Sequence, residues 1–137
     1  MTFEELEHTA DVRMKIIAPT FADLLSESGF ALSATLYGAY SRETPVAVFP
    51  LTAEGRDLPE LLVNFLSELL FLMETEYLVP QIITADVSGT TVSGTVAGVA
   101  FDREKHAGGI GVKGISYSGL SLRQTPMGYE LIIIFDI

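Results

Sequence analysis

Apolar residues alternate with polar ones from Val12 to Ala18, with Val12, Met14 and Ile16 set against Arg13 and Lys15. That period of two predicts a strand, and a shorter one is predicted before it over Phe3–Glu7. Pro19 ends the second strand. Thr20, with Asp23 three residues on, then suits the start of a helix, because a hydroxyl there accepts a free backbone N–H of the first turn. Phe21, Leu24, Leu25, Ala31, Leu32 and Leu36 fall near one face of that helix, and Gly38 suits its C-terminal cap. Val46–Ala53 reads as a strand broken by Pro50, which places it at a sheet edge. Asp57 and Glu60 open a second helix. Its apolar stripe is the broadest in the chain, running from Leu58 through Leu61, Leu62, Phe65, Leu66, Leu69 and Leu70 to Met73.

After Pro80 the period returns to two. Gln81–Val87 and Thr91–Val99 predict a hairpin around Ser88-Gly89-Thr90. Val112–Arg123 and Tyr129–Phe135 predict two more strands. Leu131-Ile132-Ile133-Ile134-Phe135 is apolar throughout, the pattern of a strand covered on both faces. The order β-β-α-β-α-β-β-β-β predicts an α+β fold, two helices packed on a mostly antiparallel sheet in a single-domain sandwich over residues 1–137.

Composition narrows the function. The chain has 137 residues, is 48% apolar and contains no cysteine. Disulfides, thiolate metal sites and thiol catalysis are excluded, and the apolar content argues against disorder. No basic start precedes an apolar run, and no segment suits a bilayer, so the expected location is the cytoplasm, without a membrane partner. Eighteen acidic residues against eight basic ones give a net charge of −10. Tight direct binding to a nucleic-acid phosphate backbone is not expected, since it needs clustered Lys and Arg to displace counterions.

Most familiar motifs fail. Gly109-Ile110-Gly111-Val112-Lys113-Gly114 has the letters of a dinucleotide loop, but a strand-like Ile115-Ser116-Tyr117 follows where a helix N-terminus is required. There is no phosphate-binding G-x-x-x-x-G-K-[ST] and no G-x-S-x-G. His8 and His106 are the only histidines. By its charges, Asp102-Arg103-Glu104-Lys105-His106 reads as a solvated loop. Asp11, three residues after His8, is either a turn former or a site residue. Asp136 follows the most apolar strand, where a carboxylate needs a partner, and the terminal carboxylate of Ile137 adds charge. If these ends meet, a divalent cation held only by oxygen would relieve the repulsion, as suits Ca²⁺, Mg²⁺ or Mn²⁺.

Glu7-His8-Thr9-Ala10-Asp11, Asp102–His106, Val112-Lys113-Gly114-Ile115-Ser116-Tyr117, the helix segment Leu61–Leu78 and the closing Ile134-Phe135-Asp136-Ile137 together resemble the archease family, end to end. The chain departs from that family at Gly114, where alanine is common, and at Gly108–Gly111, which lacks an acidic residue before Val112-Lys113. The resemblance implies a non-catalytic activator of the GTP-dependent tRNA-splicing ligase. That ligase joins 2′,3′-cyclic phosphate or 3′-phosphate ends to 5′-hydroxyl ends, and archeases promote its guanylylation and multiple turnover. The resemblance also implies a metal site at Asp11, Asp136 and Ile137, with Ca²⁺ the expected ion in a crystal. Lys113 and His8 are the possible contacts to ligase or nucleotide, His8 more as a structural neighbour of Asp11. The competing expectation is an independent divalent-metal-dependent hydrolase with His8 as base.

Overall fold

In the computed structural model, which describes residues 1–6 and 11–137, seven strands and two helices follow the predicted order. They are β1 (Thr2–Leu6), β2 (Val12–Ala18), α1 (Phe21–Tyr37), β3 (Ala47–Glu54), α2 (Leu58–Glu76), β4 (Leu78–Ser88), β5 (Thr91–Ala100), β6 (Gly114–Thr125) and β7 (Gly128–Asp136). The strands form two separate sheets rather than one. Their orders are β1-β2-β7-β6 and β3-β5-β4, and every pairing is antiparallel. The fold is an α+β sandwich in which each helix touches both sheets, α1 through β2 and β4, α2 through β3 and β6.

Local chemistry sets both helix starts. The Thr20 hydroxyl accepts the Asp23 N–H at 3.1 Å, and Asp57 Oδ1 accepts the Glu60 N–H at 2.9 Å. Glu60 also accepts the Arg56 N–H at 3.3 Å, one residue before the cap, which restrains the chain as it enters α2. Gly38 ends α1 at φ +77°. A Cβ there would stand 2.8 Å from the Gly108 backbone, so glycine is required both for the turn and for the close approach.

The two helices and both sheets share one core. Leu24, Leu25 and Leu32 of α1, Leu61, Phe65, Leu66 and Leu69 of α2, and Ile16, Leu131, Ile133 and Phe135 of the four-stranded sheet are fully enclosed. The layers come close at Gly29 of α1, where a side chain would have to displace the tips of Ile83 and Leu69. A Cβ there would lie 2.7 Å from Ile83 Cδ1 of β4 and 3.0 Å from Leu69 Cδ2 of α2.

β3 is an edge strand, as Pro50 requires. β7 is an interior strand between β2 and β6, and its apolar run is covered on both faces over Ile133–Phe135. One feature of β6 had no signal in the sequence pattern. Ser116 pairs with Ile134 but Ser121 with Ile132, so five steps along β6 span two along β7. The extra residues form a bulge, with Gly119 at φ +74° and Leu120 packed against the core.

Candidate functional site

The β2–β7 ladder brings the two ends of the chain together. Val12 pairs with Phe135, and both are buried. Asp11 precedes Val12 and Asp136 follows Phe135, so the two aspartates leave the core at the same end of neighbouring strands, each half-buried. β6 joins them from the other side. Gly114 pairs with Asp136, and the Lys113 N–H donates to the Asp136 carbonyl at 2.7 Å. Asp11, Asp136, Ile137 and Lys113 therefore occupy one end of the sheet, with Lys113 and Ile137 exposed. His8, which the sequence reading put beside Asp11, lies outside the described residues. Among the described residues, no three His, Cys, Asp or Glu side chains form a metal-holding group. Asp11 and Asp136 supply two carboxylates, and further oxygens at this end belong to the main chain, so the available donors are hard ones.

In the glycine run before Lys113, Gly109 has a packing role. Ile110 donates its N–H to the Thr35 carbonyl at 2.9 Å, which ties this segment to the last turn of α1. At Gly109 a Cβ would lie 2.3 Å from the Leu36 carbonyl carbon, so only glycine can pass there. Val112, 4% exposed, then seats the segment in the core. A strand, not a helix, begins at Gly114, and among the described residues no helix N-terminus faces the glycines to hold a pyrophosphate.

His106 corrects the solvated-loop reading. Asp102–Lys105 are at the surface or half-buried, but His106 is only 1% exposed. The loop turns inward there because the His106 N–H donates to the Asp102 carbonyl at 2.8 Å, while His106 Nδ1 accepts the Asp102 N–H at 2.9 Å. The ring is packed edge-on to Tyr40, with centroids 5.6 Å apart, and near Tyr37 and Phe101. Because Nδ1 accepts, the neutral ring carries its proton on Nε2. Nε2 lies 3.8 Å from Glu43 Oε2, beyond a hydrogen bond, and is otherwise without a partner among the described residues. A protonated Nε2 has no lone pair for a metal, which makes His106 an anchor for the loop rather than a ligand. The sequence around His106 carried no signal of this burial, because Tyr37 and Tyr40 reach the ring only through the fold.

The same cluster restrains two phenols. Tyr37 donates to the Leu78 carbonyl at 2.8 Å, and Tyr40 to the Pro80 carbonyl at 2.7 Å. Burial pushes the Tyr37 phenol up to about 12, with Tyr40 and Glu74 adding to the effect, and burial also raises Tyr40. Both hydroxyls thus remain neutral donors that link α1 and the segment after it to the start of β4.

Known proteins match this arrangement along its whole length. The model of the archease protein family covers residues 3–137. The chain belongs to the archease family. It is 35% identical to the archease-like protein of Drosophila melanogaster, over 100% of this chain and 91% of that one. It is 31% identical to the archease of Methanopyrus kandleri, with 100% of both chains covered. The solution structure of protein 1598 of Methanobacterium thermoautotrophicum has the same fold, with a TM-score of 0.75 at 20% identity, covering 98% of each chain. A crystal structure from Thermotoga maritima, described as an archease and possible chaperone, follows at a TM-score of 0.66 and 17% identity, covering 98% of this chain and 96% of that one. No helix of the described residues is long and apolar enough to cross a membrane.

Proposed function

We propose that this archease is a non-catalytic activator of a GTP-dependent tRNA-splicing ligase, promoting its guanylylation and multiple turnover. One observation carries the reading. β2 and β7 present Asp11 and Asp136 at the same sheet end, next to Lys113. Membership of the archease family supports an accessory role, and the description of the Thermotoga maritima relative as a possible chaperone agrees with work on another protein rather than on a small substrate.

Asp11, Asp136 and a main-chain oxygen of Ile137 would hold a divalent cation such as Ca²⁺, Mg²⁺ or Mn²⁺. The cation would supply concentrated positive charge where the chain itself is acidic. Around it, this chain's own residues hold the backbones of the two aspartates in register. The paired Val12–Phe135 step anchors them from below, and the Lys113–Asp136 backbone bond restrains them from the side. Lys113, exposed beside them, would meet a phosphate or an acidic group of the ligase. The net charge of −10 leaves tRNA recognition to the ligase.

The test is ligase guanylylation from GTP with and without this protein. Stimulation by the wild type and its loss in Asp11→Ala and Asp136→Ala, both still folded by circular dichroism, is the expected result. Hydrolytic turnover by the protein alone would replace this reading with that of an independent metal hydrolase.

A further inference from the structure

A second site stands at the C-terminal end of α2, apart from Asp11 and Asp136. Tyr77 caps this helix at φ 50° and ψ 40°, a left-handed conformation in which glycine is the usual residue. It is the only non-glycine residue with a positive φ among those described. Packing does not explain the choice, because Tyr77 is 69% exposed. Directly across from it is another exposed aromatic residue, Phe101, 41% exposed. The Phe101 N–H donates to the Tyr77 carbonyl at 2.8 Å, one step beyond the Leu78–Ala100 pair. That bond holds the two residues side by side, just before β4 begins and just after β5 ends.

Both line a cavity of about 540 Å³, whose other walls include Tyr37, Met73 and Ile110. Glu74 supplies its charge. The last turn of α2 has no basic residue, so its free carbonyls add negative potential at the same place. No Lys or Arg is among the described residues lining the cavity.

We propose that this cavity receives an arginine side chain from the surface of a partner protein. Aromatic faces beside a carboxylate and a helix C-terminus favour a cation that can also stack. A guanidinium is planar and weakly hydrated, and its stem covers apolar surface; a lysine ammonium is compact and strongly hydrated. A nucleobase would also stack on Tyr77 and Phe101. It would, however, bring a phosphate towards Glu74 and a chain of net charge −10. An apolar side chain would leave the carboxylate and helix end without a counterion.

The experiment titrates the whole protein with Nα-acetylarginine amide and follows backbone amide shifts by NMR. The comparison ligands are the citrulline counterpart, which has nearly the same shape but no charge, and AMP. Saturable shifts over residues 74–78 and 100–102 are expected with the arginine amide, with affinity several-fold weaker for citrulline amide and for Glu74→Gln. Tyr77→Gly should remove the binding without unfolding the protein, since glycine relieves the left-handed cap. Equal binding of citrulline amide, tighter binding of AMP, unchanged binding in Tyr77→Gly, or no saturable shift overturns the proposal. No ligase is present in this titration, so its outcome is independent of the function assigned to Asp11 and Asp136.

Discussion

Asp136→Asn separates the charge of the candidate cation site from its packing. The backbone bond from Lys113 uses the Asp136 carbonyl, and asparagine keeps it. What changes is one negative charge beside Asp11. The two residues sit one register step beyond Val12–Phe135, where opposed Cβ atoms lie about 5 Å apart. Two unit charges about 5 Å apart repel by roughly 0.8 kcal/mol in water and about 1.7 kcal/mol at an effective dielectric constant of about 40. Without a cation, the variant is therefore expected to be about 1 kcal/mol more stable, a rise of roughly 3–4 °C in Tm for a chain of this size. A cation that binds only the folded state reverses the order. At about 100 times its Kd it stabilises the wild type by about 2.7 kcal/mol, or roughly 8–10 °C, and the variant loses most of that gain. The assay is a pair of thermal melts, in EDTA and in Ca²⁺, for both proteins. The curves should cross over, with the variant ahead in EDTA and behind in Ca²⁺. Equal Ca²⁺ shifts in both proteins would refute the reasoning, as would a variant less stable than wild type in EDTA.

Three further outcomes are expected. Tyr37 has a folded pKa of about 12 against an ordinary 10.0, so its stabilising share is complete below about pH 10 and fades as pH rises towards 12; denaturant melts across that range should show a shallower loss in Tyr37→Phe, with Tyr40 accounting for part of what remains. His106→Ala should destabilise the fold by about 2–4 kcal/mol, through the lost ring packing and the Asp102 N–H left without its acceptor, and hydrogen exchange should quicken along Asp102–Lys113; a change under about 0.5 kcal/mol would remove His106 from its anchoring role. A gel shift of tRNA by the protein alone should be weak at physiological salt, and a tight complex with a steep salt dependence would contradict the charge argument.

The strand and helix order followed from features that act within a few residues. Val12, Met14 and Ile16 alternate because a strand has a period of two, and they are the buried face of β2. Thr20 and Asp57 bond N–H groups only three residues away, so both helix starts were legible. Pro50 marked an edge because proline removes a ladder donor. The link between Asp11 and Asp136 was also in the sequence, but only as a condition: each end of the chain carried an aspartate beside a strand, and nothing local said that those strands pair. Tertiary structure supplied the Val12–Phe135 register that brings the ends together. It also divided the strands into two sheets, a choice that depends on which edges meet rather than on any strand's own pattern. It buried His106 among Tyr37, Tyr40 and Phe101, although four polar neighbours in sequence pointed to solvent. Tyr77 and Phe101 are 24 residues apart in the chain and become backbone hydrogen-bond partners only through the β4–β5 ladder. Periodicity and capping are short-range and survive in the sequence alone, whereas partner strands, buried rings and shared cavities depend on contacts between distant residues.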